Sequence, residues 1–152
     1  MKKTIILLFT VILSAPVFSQ IIEGEDGLFY NEQNEPYTGV YSEFYENGQK
    51  RIELNLVEGK KDGEVILYFE NGNKNEVRRY KMNEMNGTWI TWSEEATKIA
   101  EANYKMGKKD GKWYVWDETG ILRYDMTYND GKKSGKWLMY DEKGNLINEK
   151  EY

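Results

Sequence analysis

The chain has 152 residues, 39% of them hydrophobic and 31% charged, which is one domain's worth of sequence. It contains no His and no Cys. That excludes a Ser-His-Asp triad, a cysteine nucleophile, a Cys/His zinc site and any disulfide. The net charge of -5 argues against a nucleic-acid partner, which calls for a basic surface. Five Trp and twelve Tyr beside fourteen Gly and two Pro point to short β-strands joined by many turns.

The chain opens on Met1-Lys2-Lys3, a positive start, followed by an almost wholly apolar run from Thr4 to Leu13. Ser14-Ala15-Pro16 breaks the run, and Val17-Phe18-Ser19 precedes a cleavage point. Residues 1–19 therefore read as a secretory signal peptide, cut to leave Gln20 at the new terminus. The apolar run is well short of the roughly 20 residues that cross a bilayer, so no transmembrane segment is expected in the mature chain. The expected location is periplasmic or secreted, in a bacterium of Gram-negative type. Without Lys2 and Lys3 the balance is 19 basic against 26 acidic residues, a net charge of -7.

Residues 20–37 read as an N-terminal cap. Leu28-Phe29-Tyr30 looks like a short capping strand, and Asn31 to Pro36 a turn. Terminal repeats need such caps because an open sheet edge invites pairing with other chains.

Residues 38–152 form a repeat domain. Gly39, Gly63, Gly87, Gly111 and Gly135 recur every 24 residues without a slip, the mark of a repeat architecture. Five residues after each stands Phe44, Tyr68, Trp92, Trp116 or Tyr140. Seven after stand Glu46, Glu70, Glu94, Glu118 and Glu142. Seventeen after stand Leu56, Tyr80, Tyr104, Tyr128 and Tyr152. All five Trp fall in two columns. Each unit reads as a β-hairpin: Gly111 to Trp116 as one strand, Asp117 to Gly120 as a turn, Leu122 to Tyr128 as the second strand, then a return turn. The expected fold is all-β, an elongated single antiparallel sheet of about five stacked hairpins. One unit departs. Ser93 to Ala102 has good local helix propensity, and Ala96 stands where Gly48, Gly72, Gly120 and Gly144 stand elsewhere. A hairpin is still expected, because Trp92 and Tyr104 stay in phase around it.

Tyr37-Thr38-Gly39-Val40-Tyr41, Phe44-Tyr45-Glu46-Asn47-Gly48 and Gly59-Lys60-Lys61-Asp62-Gly63 resemble the variant MORN repeat. Gly107 to Trp113 and Gly131 to Trp137 keep the same spacing. The likeness extends to the bacterial set labelled YwqK-type antitoxins. It implies stacked hairpins serving as a scaffold or protein-interaction surface, in one form neutralising a toxin. It implies no catalytic residues. The third unit departs from the pattern at Asn83 and Ala96, where Gly is expected. The Trp- and Tyr-rich hairpins are also similar to cell-wall choline-binding repeats, which have a shorter period.

The Glu column could supply paired carboxylates for glycoside hydrolysis, but five equivalent turn positions single out no pair. The Asp-Glu-Thr-Gly and Asn-Asp-Gly turns lack the ligand spacing of calcium loops. No cofactor or metal is expected, and no enzymatic activity. Two binding candidates remain. Lys60, Lys61, Lys108, Lys109, Lys132 and Lys133 recur in the return turns and suggest a basic rim opposite an acidic one. Trp89, Trp113 and Trp137 should form a ladder, one ring per hairpin and roughly 9.5 Å apart. Such a ladder either binds cell-wall carbohydrate through exposed rings or packs between hairpins as the core of a thin sheet. The leading expectation is an exported, non-enzymatic β-repeat scaffold for a protein partner. The alternative is a carbohydrate-binding module.

Overall fold

The computed structural model describes residues 21–152, and the signal peptide read over residues 1–19 lies outside the described residues. Two short strands come first, β1 (Ile22–Glu23) and β2 (Phe29–Tyr30), paired with each other. The repeat region follows as β3 (Gly39–Phe44), β4 (Lys50–Val57), β5 (Lys60–Tyr68), β6 (Lys74–Lys81), β7 (Glu84–Met85), β8 (Gly87–Trp92) and β9 (Lys98–Lys105). It continues with β10 (Lys108–Trp116), β11 (Leu122–Asn129), β12 (Lys132–Lys133), β13 (Lys136–Tyr140) and β14 (Leu146–Glu151). The strands from β3 to β14 form one antiparallel sheet in chain order, with β7 and β12 as short additions beside β6 and β11. This is the expected meander of hairpins.

The five hairpins are built alike. Each closes with the same backbone bond across its turn, such as Tyr45 N to Gln49 O at 2.8 Å and Asp141 N to Asn145 O at 2.9 Å. Each carries a register shift just before its second aromatic column, at Phe44, Tyr68, Trp92, Trp116 and Tyr140. The third unit keeps this form and is a hairpin, with no helix. Ala96 adopts φ +63°, close to the +82° to +85° of Gly48, Gly72 and Gly120. Tertiary pairing there overrides both the local helix propensity and the steric cost of a left-handed alanine. The strict glycine column has a backbone cause. Gly111 sits at φ +95°, opposite Tyr128, in a region that side-chain-bearing residues rarely enter.

Neighbouring hairpins are tied at the return turns. Gly59 N bonds Tyr37 O, Asn83 N bonds Lys61 O, Gly107 N bonds Met85 O and Gly131 N bonds Lys109 O, each at 2.8 Å. Asn83 replaces glycine without breaking the link. It tolerates φ +70°, and its side-chain oxygen accepts the Lys61 N–H at 2.7 Å.

The core is small and lies at the N-terminal end. Phe29, Leu54, Leu56 and Val65 cluster on one face of β4 and β5, with Ile21, Tyr37 and Tyr41 packed around them. The cap thus covers this face over the first hairpins, anchored by Phe29 N to Gly59 O at 2.9 Å. Ile66 and Val77 are buried on the opposite face. Beyond the second hairpin no described hydrophobic side chain is fully buried, so something other than a closed core must hold the C-terminal hairpins together.

Candidate functional site

What holds them is a run of stacked rings. Along the face that the cap covers at its other end, Tyr80, Trp89, Tyr104, Trp113, Tyr128, Trp137 and Tyr152 touch in sequence, at centroid separations of 5.6, 4.8, 5.2, 5.2, 5.2 and 4.9 Å. The expected one-ring-per-hairpin ladder is therefore filled in by a tyrosine between successive tryptophans. Planes are inclined by 46° to 61° to one another, the tilted and edge-to-face geometries that aromatic quadrupoles favour.

Period two explains the stack. Trp113 faces Ala102 on one neighbouring strand and Met126 on the other, while Tyr128 faces Gly111. Ala102 beside Trp113 and Gly111 beside Tyr128 leave room for those rings to lie over the sheet. Each indole is pinned further: Trp89, Trp113 and Trp137 donate through Nε1 to the carbonyls of Arg79, Asn103 and Thr127, at 3.2, 3.0 and 3.0 Å. The three tryptophans are half-buried. Exposed rings would have argued against the packing role; half-burial, two ring neighbours and a spent N–H support it. Burial among these rings also pushes the Tyr104 hydroxyl pKa up.

The lysine pairs do not stay together on a rim. Lys60, Lys108 and Lys132 begin their strands at the return-turn end, and Lys108 pairs with Asp130 at 2.7 Å. Their neighbours Lys61, Lys109 and Lys133 turn onto the aromatic face. Lys61 lies over Phe29 at 5.5 Å and pairs with Glu23 at 3.7 Å. Lys109 Nζ sits 4.2 Å from the Trp113 ring and 4.9 Å from that of Tyr128. Lys133 sits 4.3 Å from Trp137 and 4.7 Å from Tyr152. Met85 occupies the same place in the third unit, and there Arg78 reaches Trp89 instead, at 5.3 Å. Lys150, which sequence reading did not single out, lies 4.8 Å from the Tyr152 ring. Its parity with Trp137, its cross-strand partner, was the available signal. Of the six lysines, Lys61, Lys109 and Lys133 thus share one surface with the rings, and Lys60, Lys108 and Lys132 do not.

Lys133 donates a hydrogen bond to the Tyr152 hydroxyl at 3.2 Å, and with Lys150 nearby it holds that hydroxyl's pKa below its ordinary value. A shallow groove of about 280 Å³ runs beside these groups, lined among others by Met126, Trp137, Met139, Lys150 and Tyr152. At the opposite end of the hairpins Glu46, Glu70, Glu94, Glu118 and Glu142 are all exposed turn residues. Among the described residues no cluster of acidic side chains could hold a metal ion, and no helix is long and apolar enough to cross a membrane.

Residues 37–57, 61–82, 109–130 and 133–152 match the MORN repeat variant. The chain belongs to this family. The match leaves out the unit that carries Asn83 and Ala96, yet that MORN unit has the same hairpin, the same turn bond and the same place in the ring stack as its neighbours. No curated protein matches the chain. MORN repeats build a protein-binding or scaffold module, and the sheet described above is such a scaffold.

Proposed function

We propose that this MORN chain is a non-enzymatic scaffold, exported by its first nineteen residues into the bacterial envelope, where the aromatic face holds a protein partner. The observation that carries the reading is the uncovered ring-and-lysine face from β8 to β14. The cap occupies that face over the first hairpins, and among the described residues no other element lies over the remainder. A broad sheet face that carries cations fixed over packed rings suits a protein surface of complementary charge. Rigid side chains locked by packing lose little entropy on binding. A toxin is one form of partner that the antitoxin resemblance implies. The absence of His and Cys from the sequence supports a binding role over a catalytic one.

The test is capture in place. The chain, with its own N-terminal segment and a C-terminal tag, is expressed in its source and cross-linked in intact cells. The recovered material is fractionated and read by mass spectrometry. Recovery from the envelope, with an N-terminus at Gln20 and one protein near equal stoichiometry, is the expected result. Recovery from the cytosol with Met1 intact would overturn export. Retention on cell-wall polysaccharide with no protein partner would overturn the protein-scaffold reading.

A further inference from the structure

We propose that the C-terminal half of the aromatic face is a receptor for an extended acidic segment of the partner protein, its carboxylates taken by Lys109, Lys133 and Lys150. This deepens the scaffold reading and rests on it.

Three observations converge. Charge is sorted between the two faces of this half of the sheet. The strand carboxylates Glu101, Asp125, Glu149 and Glu151 share the face of Tyr114, Leu138 and Lys136, as their cross-strand pairs show. On the ring face the register from β8 to β14 places no Asp or Glu at all. The carboxylates on that face farther back, Glu43 and Glu76 on the strands and Glu23 on the cap, are paired with Arg51, Arg78 and Lys61. A chain of net charge -5 therefore carries a locally cationic strip.

Second, the three ammonium groups are not neutralised. Ten ion pairs form among the described residues, and none of them includes Lys109, Lys133 or Lys150. Each is held instead over an aromatic ring, at 4.2 to 4.8 Å. Cation–π contact orients the charge and strips part of its water without cancelling it. A carboxylate arriving there meets a preorganised donor, and charge-assisted hydrogen bonds are about twice as strong as neutral ones.

Third, the geometry selects the ligand class. A glycan would stack on flat ring faces, but here neighbouring rings are steeply inclined. The lysines already sit over Trp113 and Trp137, and the indole N–H groups are spent on backbone carbonyls. Sugar hydroxyls would find few polar partners. Lys109 and Lys133 are one repeat apart, about 9.5 Å across two strand spacings. Residues i and i+3 of an extended peptide are separated by about 10 Å. Acidic residues at every third position, in a segment running across the hairpins, match that step.

The experiment measures fluorescence anisotropy of a labelled peptide carrying Glu at every third position between Ser and Thr residues. Comparison probes are a peptide of the same composition with its Glu clustered, and polygalacturonate as an anionic glycan. Binding of the spaced peptide is expected, weakening with added salt. The triple variant Lys109→Gln, Lys133→Gln, Lys150→Gln should lose at least about tenfold in affinity, and the three Lys→Arg changes should retain it. Lys60→Gln, Lys108→Gln, Lys132→Gln, which removes equal charge elsewhere, should stay within about twofold. Circular dichroism and urea midpoints confirm that each variant is folded. No binding of the spaced peptide, equal binding of the clustered one, equal loss in both Gln triples, or binding of polygalacturonate alone would each overturn the proposal. A partner captured in cells by wild type and by the Lys109/Lys133/Lys150 Gln variant alike would overturn it too, while the scaffold reading would survive.

Discussion

Replacing Trp113 by alanine tests whether the ring stack is structural. Trp113 sits mid-ladder, touching Tyr104 and Tyr128, each at 5.2 Å. Each ring pair contributes about 0.5–1.5 kcal/mol beyond area burial. The indole N–H bond to Asn103 O, 3.0 Å long, adds about 1 kcal/mol. A half-buried tryptophan removes on the order of 80 Å² more apolar surface from water than alanine, or about 2 kcal/mol. Together these give a loss of about 4–6 kcal/mol, a large share of the roughly 5–15 kcal/mol that holds a domain. Trp113→Phe keeps a ring and loses the N–H, so it should cost only about 1 kcal/mol. Urea unfolding followed by far-UV circular dichroism measures both. Because stability in a repeat array is summed between neighbours, hydrogen exchange should show β11 to β14 losing protection while β3 to β6, over the buried cluster, keep it. A Trp113→Ala chain within about 0.5 kcal/mol of wild type, the usual scatter of surface changes, would refute a structural ladder and restore the reading of free rings.

Three further outcomes follow from the turns. Ala96→Gly should raise stability by up to about 1 kcal/mol, since alanine at φ +63° is sterically costly; no gain in the urea midpoint would mean that the turn is relaxed as it stands. Gly59→Ala should destabilise more than Gly107→Ala in the same assay, although the φ values are +75° and +77°. A Cβ at Gly59 would lie 2.9 Å from the Phe29 carbonyl and loosen the cap, whereas at Gly107 it meets nothing within 4 Å. Asp117 is held below its ordinary pKa of 3.8, first by the Thr119 hydroxyl and further by backbone N–H groups. Its contribution is full above that value and is lost as pH falls from there through the lowered folded-state pKa. The difference between wild type and Asp117→Ala should therefore narrow as pH falls below 3.8 toward the lowered folded-state pKa; a pH-independent difference would refute the turn's role.

The hairpin fold was legible because its cause is periodic. A glycine that must adopt positive φ recurs every 24 residues, and rings at fixed offsets from it confine each strand. The third unit shows where pattern and physics separate. Asn83 and Ala96 break the glycine columns, yet each takes the left-handed conformation its neighbours take. Asn83 does so with a side-chain hydrogen bond in compensation. Ala96 does so because pairing from Trp92↔Lys98 to Gly87↔Tyr104 leaves the chain no other closure. Propensity within ten residues could not reveal that constraint, because it comes from the strands on either side.

The site was half legible, and the missing half follows from where the strands begin. Reading Lys108-Lys109 and Lys132-Lys133 as turn residues put them on a rim. The strands in fact start before the glycine, at Lys60 and Lys108, so alternation already applies to the second lysine of each pair. Lys109, Gly111 and Trp113 then share one face by parity alone. That placement divides the labour on the face. A single-layer sheet has no second layer to bury its rings against, so Tyr and Trp must stack on one another to stabilise the C-terminal hairpins. A ring committed to its neighbours on two sides, with its N–H bonded inward, has little left to offer a ligand. Recognition falls to what stands on top of the rings, and those are the ammonium groups of Lys109, Lys133 and Lys150. Removing a ring should therefore cost the fold, while removing a lysine should cost binding and leave the fold in place.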